Sequence, residues 1–121
     1  MHLLRPFTAL ALFLVGSGLA LPAPAGAEDL TLNTVTYGCE RGVSVPVAYV
    51  TAGADSVVVL TVEGRQISLY AEPAASGVRY AWPSGGSGYV WWTKGKVASL
   101  YWKDGTEGSE TPLLQDCRAA E

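Results

Sequence analysis

The fold class of this 121-residue chain is decided by residues 56–71, which read SVVVLTVEGRQISLYA. Two runs rich in β-branched and aromatic side chains, Ser56 to Val62 and Gln66 to Ala71, flank the pair Glu63-Gly64. Such runs are typical of β-strands, and a Gly-containing pair between them is typical of a tight turn. The stretch therefore predicts two neighbouring strands joined by a short turn.

Similar runs continue in both directions from this stretch. They are Val43 to Thr51, Val78 to Trp82, Tyr89 to Thr93 and Val97 to Lys103, with Val35 to Cys39 and Leu113 to Cys117 as partners at the two ends. No stretch outside the N-terminal segment has a convincing helical period. Many short strands at close spacing predict an all-β domain, either an antiparallel barrel or a sandwich, and closing the sheet into a barrel would remove its exposed edges.

Side chains alternate between two faces along a strand, and both faces of the run from Ser56 to Val62 are apolar. This pattern has two interpretations: the strand is covered on both sides, or one face is a homodimer surface. The same alternation applies to the neighbouring residues Trp91 and Trp92, so at least one of them must point out of the core. An outward tryptophan is typically partner-facing or packed under a loop.

The N-terminus has the pattern of a secretory signal peptide. His2 and Arg5 precede an apolar run from Ala9 to Val15, and Ala25-Gly26-Ala27 is typical of a cleavage site. Glycines and prolines interrupt the segment before the roughly 20 apolar residues that a membrane span requires. We therefore expect residues 1–27 to be a signal peptide, residues 28–121 to be one exported domain, and its location to be periplasmic.

The chain has two cysteines, Cys39 and Cys117, one near each end of the exported part. An oxidising compartment favours their pairing, which would tie the two ends of the domain together. On the chain-entropy model such a long loop contributes about 4 to 5 kcal/mol of stability. No second Cys or His lies near either residue, so we expect no metal site and no cofactor.

The charge pattern argues for a cationic protein partner rather than a nucleic acid. Removing Arg5 with residues 1–27 leaves seven Lys/Arg against eleven Asp/Glu, a formal charge of −4, which disfavours nucleic-acid binding. The interval from Ser76 to Lys103 nevertheless contains no acid and several bases: Arg79, Lys94, Lys96 and Lys103. The positive charge is therefore concentrated in one part of an acidic domain.

Two short motifs lie within this interval, Ser76-Gly77-Val78-Arg79-Tyr80 and Tyr89-Val90-Trp91-Trp92-Thr93-Lys94-Gly95. Each places small or polar residues at the end of an aromatic, β-prone run, as expected for a loop tip carried by a strand. The patterns SGxxY and YxxxTKG resemble those of the c-type lysozyme inhibitor family. The resemblance extends from about Tyr37 to Cys117, and the lack of a cysteine before Cys39 makes the soluble periplasmic branch more similar than the lipid-anchored one.

This resemblance implies a barrel of about eight strands that inserts two loops into the catalytic cleft of c-type lysozyme. The residues it assigns to lysozyme binding are Ser76, Gly77, Arg79, Tyr80, Tyr89, Thr93, Lys94 and Gly95. Lysozyme hydrolyses glycosidic bonds with one protonated and one ionised carboxyl group. The Ser76 hydroxyl and the Lys94 ammonium suit this pair, whereas Tyr80 and Tyr89 are expected to brace their loops.

Catalysis by this chain itself is not expected. Its only histidine, His2, lies in the predicted signal peptide, so Ser/His and Cys/His mechanisms lack a base. A dyad of Ser76 and Lys94 would need a buried, deprotonated lysine, and Lys94 is expected to be exposed. Glu107 and Glu110 are interpreted as part of a solvated loop. The alternative function is a glycan-binding barrel that uses its tryptophans: Trp82, Trp91, Trp92 and Trp102.

Overall fold

The computed structural model describes residues 16–19 and 29–120, so the predicted signal peptide and its boundary after Ala27 lie largely outside the described residues. The ordered elements are β1 (Leu30–Gly38), a 3-10 turn (Glu40–Gly42), β2 (Ser44–Ala52), β3 (Asp55–Val62), β4 (Arg65–Glu72), β5 (Val78–Ala81), β6 (Gly88–Lys94), β7 (Val97–Lys103) and β8 (Glu110–Ala119). None of the helical segments among these residues has the length and apolar character needed to cross a bilayer.

The eight strands form a closed antiparallel barrel in sequence order. Each strand pairs with the next, and β1 closes the sheet against β8 through Tyr37 opposite Ala119 and Gly38 opposite Arg118. The barrel, rather than the sandwich, is therefore the confirmed architecture. The expected pairing of the two terminal strands is also confirmed, although β1 and β8 begin earlier than predicted, at Leu30 and Glu110.

The hairpin of residues 56–71 shows how the sequence pattern builds this barrel. β3 pairs with β4 around Glu63 and Gly64, with Val62 opposite Arg65. Val58 and Leu60 are fully buried in the core, whereas the alternate side chains Val57 and Val59 remain partly exposed on the outside. Alternation thus separates an interior face from an outer apolar face.

The interior combines aliphatic side chains with a hydrogen-bonded aromatic group. Trp91 is completely buried, and its Nε1–H donates to the Tyr49 hydroxyl at 3.0 Å. The Tyr49 and Tyr37 hydroxyls lie 2.6 Å apart, and the Tyr37 ring packs edge-on against Trp91. Burial raises the pKa of Tyr49 well above its usual value, so its hydroxyl stays protonated. Polar atoms inside the barrel are thereby satisfied by one another.

The two cysteines form the predicted disulfide. Cys39 lies just after β1 and Cys117 near the end of β8, 78 positions apart in sequence. Cys117 is fully buried at the edge of the core. The disulfide therefore fastens the β1 and β8 junction, where few backbone pairs close the barrel.

Connections in an up-and-down barrel alternate between its two ends. The β4–β5 connection (residues 73–77) and the β6–β7 turn (residues 95–96) consequently project from the same end, together with the β2–β3 turn. We call the first two connections, with the adjoining strand residues 78–79 and 92–94, the loop pair. Both sequence motifs contribute to it.

Candidate functional site

The loop pair is held together by strand pairing between β5 and β6. Val78 lies opposite Thr93, and Arg79 lies opposite Trp92. This register brings the SGxxY tip directly beside the TKG tip, although the two tips are 17 residues apart between Gly77 and Lys94. The two motifs thus form one continuous surface.

Gly77 is required where the two loops touch. Its φ of +65° lies in the left-handed region that side chains disfavour. A Cβ placed on Gly77 would overlap the carbonyl oxygen of Thr93 and lie 2.9 Å from Lys94 Cγ. The absence of a side chain therefore permits both the backbone conformation and the close approach of the two tips.

The TKG tip is a tight turn. Lys94 pairs with Val97, so Gly95 and Lys96 form a two-residue connection in which Gly95 has a φ of +61°. The Thr93 hydroxyl donates to the Val78 carbonyl at 3.3 Å, which ties this turn to β5. Ser76 and Lys94 themselves are exposed. The geometry thus places the exposed residues Ser76 and Lys94 on adjoining tips at the end of a strand pair.

Trp92 contacts both loops, a feature that the sequence motifs do not specify. Its indole Nε1–H donates to the Ser76 carbonyl at 2.9 Å. The Lys94 ammonium lies 4.4 Å from the centre of the Trp92 ring, within cation–π range. The prediction that one of the two adjacent tryptophans points outward is confirmed, because Trp92 is outside the core and Trp91 is inside it.

Arg79 lies beneath this surface in a network of ion pairs. Its guanidinium donates to Glu72 on β4 and, through two nitrogens, to both carboxylate oxygens of Glu110 on β8. Only 13% of the Arg79 side chain is exposed, against 26% for Glu110. Hydrogen bonding to Arg79 lowers the pKa of Glu110, and Glu110 in turn raises the pKa of Arg79.

This network corrects the interpretation of Glu110 as a solvated loop residue. Glu110 is the first residue of β8 and half-buried against Arg79. The sequence could not show this contact, because 31 positions separate the two residues. The charge of Arg79 is compensated within the chain, whereas Lys94 and Lys96 are the exposed bases of the loop pair. A lysozyme contact by Arg79 stays a prediction.

The two motif tyrosines have contacts within the barrel. Tyr80 is 5% exposed, its hydroxyl lies 3.3 Å from Ser56 Oγ, and its ring is tilted against Tyr49. Tyr89 is partly buried and packs edge-on against Trp102 at 5.1 Å between ring centres. Both arrangements anchor the strands that carry the loops, and a direct contact of either tyrosine with lysozyme stays a prediction.

The loop pair has a small cavity beside it. The cavity beside it measures about 120 Å³ and includes Trp92 and Lys94 in its lining. Pockets for small ligands are typically about 300 to 1,000 Å³. The cavity is therefore smaller than a typical pocket for a small ligand. In the described part of the chain, no three His, Cys, Asp or Glu residues are grouped so as to hold a metal ion.

Comparison with known proteins identifies sequence relatives with a common description. The family described as MliC, "Membrane-bound lysozyme-inhibitor of c-type lysozyme", matches residues 37–108. A Pseudomonas aeruginosa protein named membrane-bound lysozyme inhibitor of C-type lysozyme is 38% identical over 90 residues, which cover 72% of this chain and 65% of that protein. A Cupriavidus necator protein of the same name is 30% identical over 99 residues, covering 81% of this chain and 74% of that protein.

Two solved structures share the fold. One is Pseudomonas aeruginosa MliC in complex with hen egg white lysozyme, with a TM-score of 0.61, 30% identity, and coverage of 81% of this chain and 91% of that chain. The other is a periplasmic lysozyme inhibitor of C-type lysozyme from Salmonella typhimurium, with a TM-score of 0.62, 25% identity, and coverage of 75% of this chain and 100% of that chain. The region matched by the family, residues 37–108, includes both motifs and most of the barrel.

Proposed function

This chain belongs to the MliC family of c-type lysozyme inhibitors, and from that premise we propose that it inhibits c-type lysozyme by inserting the loop pair into the catalytic cleft. One observation carries the proposal: Ser76 and Lys94 are both exposed, and they lie on two loop tips that are in contact with each other. The Pseudomonas aeruginosa relative, whose structure contains hen egg white lysozyme, supports the choice of partner.

The chemistry of the loop pair matches the catalytic groups of the partner. Glycoside hydrolysis of this kind needs one carboxyl group as an acid and one as an ionised carboxylate. The Lys94 ammonium would pair with the ionised carboxylate, and the Ser76 hydroxyl would donate a hydrogen bond to either group. Occupation of both groups excludes the sugar and removes the proton donor. The protein would block the catalytic cleft of lysozyme and would not itself be an enzyme.

Long-range electrostatics would assist the encounter. The predicted exported part carries a formal charge of −4, and c-type lysozymes as a class are basic, so the two proteins attract one another. The loop pair is the exception within the acidic domain, since Lys94 points its charge away from the barrel. The acidic remainder would face the basic rim while Lys94 enters the acidic cleft.

The proposed location is the periplasm, where an inhibitor would protect peptidoglycan from lysozyme that enters the envelope. The relatives include proteins described as membrane-bound and as periplasmic, which supports an envelope location. The assignment to the soluble branch rests on the sequence pattern before Cys39 and stays a prediction.

The test is lysis of a cell-wall suspension by a c-type lysozyme with and without the oxidised fragment 28–121. We expect suppression of lysis, and we expect Lys94→Ala and Ser76→Ala each to weaken binding by about 1 to 4 kcal/mol while the fold stays intact. Matched controls are Lys103→Ala and Ser84→Ala, which change the same residue types away from the loop pair. Affinity that is equal in all four variants and the unmodified fragment would contradict the site.

Sedimentation with isolated cell wall separates the alternative function from inhibition. A glycan-binding barrel should sediment with isolated cell wall when no lysozyme is present, whereas an inhibitor should stay in solution. Trp82 and Trp102 are the tryptophans exposed enough to stack on sugars, at 52% and 40%. Sedimentation that is lost in Trp82→Ala, together with undiminished lysis, would replace inhibition by glycan binding.

A homodimer, one of the two interpretations of the apolar strand, would use the outer face of β1 to β3. Leu30 and Leu32 are 69% and 65% exposed, and Val57 and Val59 continue this apolar face on β3. Association through this face would leave the loop pair free. Sedimentation velocity of the fragment and of its Leu32→Lys variant tests it, because a dimer held by this face should dissociate in the variant.

A further inference from the structure

The Trp92 side chain contacts residues of both tips of the loop pair. It donates its indole N–H to the main-chain oxygen of Ser76 and lies beneath the ammonium of Lys94. The first contact fixes the loop that carries the hydroxyl, and the second restricts the long lysine side chain. Neither contact is required to form the barrel, because Trp92 lies on the outer side of β6 and outside the buried core.

Resting on the proposed function, we propose that Trp92 is a positioning residue that sets Ser76 and Lys94 in their binding arrangement before lysozyme arrives. A free lysine samples many rotamers, and ordering such a side chain at an interface weakens binding. A lysine already held over an indole ring avoids much of that loss. Trp92 therefore acts on affinity through its neighbours and need not touch lysozyme.

An aromatic ring is suited to this task because it attracts a cation without neutralising it. Arg79, in contrast, forms ion pairs with two carboxylates, which compensate its charge within the chain. The Lys94 ammonium lies over the Trp92 ring, and among the described residues no carboxylate forms an ion pair with it. Lys94 is thus ordered while its N–H groups remain available to a carboxylate of the partner.

The Trp92 ring is itself supported from the neighbouring strand. The Arg79 guanidinium carbon lies 5.3 Å from the centre of the ring, opposite it in the register of β5 and β6. Arg79 is fixed in turn by Glu72 and Glu110. The ion-pair network therefore extends through Trp92 to Lys94, which gives the half-buried Arg79 a role in placing the exposed base.

The first experiment examines the free protein by NMR and needs no lysozyme. The side-chain methylene protons of Lys94 should be shifted upfield by the ring current of Trp92, relative to those of Lys103. Replacement of the ring in Trp92→Leu should remove the shift, and Trp92→Phe should retain part of it. Unshifted Lys94 protons in the unmodified protein would overturn the proposal. Far-UV circular dichroism verifies that each variant is folded.

The second experiment measures lysozyme affinity in a double-mutant cycle. We expect Trp92→Leu to weaken binding about 10- to 100-fold and Trp92→Phe, which loses the hydrogen bond to Ser76 and keeps a weaker cation–π contact, about 3- to 10-fold. In a Lys94→Ala background, Trp92→Leu should weaken binding by a smaller factor than in the unmodified protein, because part of its effect passes through Lys94. The matched control Trp82→Leu should leave affinity unchanged.

The outcomes separate this inference from the proposed function. Additive effects of Trp92→Leu and Lys94→Ala, or unchanged affinity in Trp92→Leu, would overturn positioning while inhibition stands. Failure of the unmodified protein to bind lysozyme would overturn the proposed function, and with it the proposed effect of Trp92 on lysozyme affinity. The ring-current shift would still decide whether Trp92 orders Lys94 in the free protein.

Discussion

Trp91 and Trp92 are adjacent in the sequence, yet they lie on opposite sides of β6 in different surroundings. Trp91 is completely buried, packs against Tyr37 and donates its N–H to the Tyr49 hydroxyl. Trp92 lies outside the core, donates its N–H to the Ser76 carbonyl and carries the Lys94 ammonium over its ring. Each indole thus donates one hydrogen bond and makes one contact through its ring, with Tyr37 for Trp91 and with Lys94 for Trp92.

The comparison shows how one strand contributes core packing on one face and supports exposed loops on the other. On the inner face the neighbours are neutral and mutually hydrogen-bonded, so a change there alters the free energy of unfolding. On the outer face the neighbours belong to exposed loops, so a change there alters what the protein presents to a partner. The alternation of side chains along β6 keeps the two tasks separate.

The largest expected effect is the difference between Trp91→Leu and Trp92→Leu in stability. Trp91→Leu should lower the free energy of unfolding by about 3 kcal/mol, because it leaves a cavity and removes the donor to Tyr49. Trp92→Leu should lower it by less than about 1 kcal/mol. Urea unfolding of both oxidised variants measures these free energies. Equal losses would show that the two faces are not energetically distinct.

Gly77→Ala tests whether the outer face depends on backbone geometry. The new Cβ would overlap the Thr93 carbonyl, and the positive φ would add strain, so the loop tips should separate. We expect a stability loss of about 1 to 3 kcal/mol and weaker lysozyme binding.

Gly85→Ala is the matched control for this change. Gly85 also has a positive φ, of +74°, but its Cβ would meet nothing within 4 Å. The control should therefore lose stability without losing affinity for lysozyme. Similar affinity in both variants would show that contact between the loop tips is unimportant.

Glu110→Gln probes the ion pairs beneath the outer face through their pH dependence. The hydrogen bonds from Arg79 lower the pKa of Glu110 in the folded state. A lowered carboxyl pKa stabilises the fold above the unfolded value, about 4.3 for Glu, and this stabilisation is lost as the pH falls through the folded value. Glu110→Gln should therefore cost about 1 to 2 kcal/mol at pH 7 and progressively less as the pH falls below the unfolded value.

The measurement is the urea midpoint of Glu110→Gln and of the unmodified protein across this pH range, with Glu107→Gln, an exposed neighbour, as the control. A difference between Glu110→Gln and the unmodified protein that stays constant with pH would rule out an ionic origin for the stabilisation.

The smallest expected effect belongs to Tyr37→Phe on the inner face. This variant keeps the ring against Trp91 and removes one hydroxyl from the pair with Tyr49. We expect a loss of about 0.5 to 1.5 kcal/mol in unfolding free energy and no change in lysozyme affinity. A change in affinity at constant stability would mean that the interior and the loop pair are coupled.

Much of the fold was predictable because its signals are local. Alternation and turn residues gave the strands, and two cysteines in an exported chain gave the disulfide. The choice of a barrel over a sandwich came from the family resemblance, since both architectures use the same short strands. The early starts of β1 and β8 were not predicted, because Leu30 to Thr34 and Glu110 to Pro112 have weaker strand patterns.

The exposure of Ser76 and Lys94 could be predicted from the sequence, whereas the contacts that hold their loops could not. The two motifs name Ser76 and Lys94, and alternation requires one outward tryptophan. The sequence did not show that Trp92 would bridge the loops, because that contact depends on the register of β5 against β6. Nor did it show the partner of Arg79, since Glu110 is brought near by the closure of the barrel.

The sequence by itself determined the strands, the paired cysteines, the acidic charge and the opposite orientations of Trp91 and Trp92. These follow from the period of a strand, the covalent chemistry of thiols and the counting of charges, none of which needs distant contacts. The tertiary structure alone decided which tryptophan is buried, which carboxylates compensate Arg79 and how the two loop tips interlock. Those outcomes depend on strand register and barrel closure, which bring together residues that are far apart along the chain.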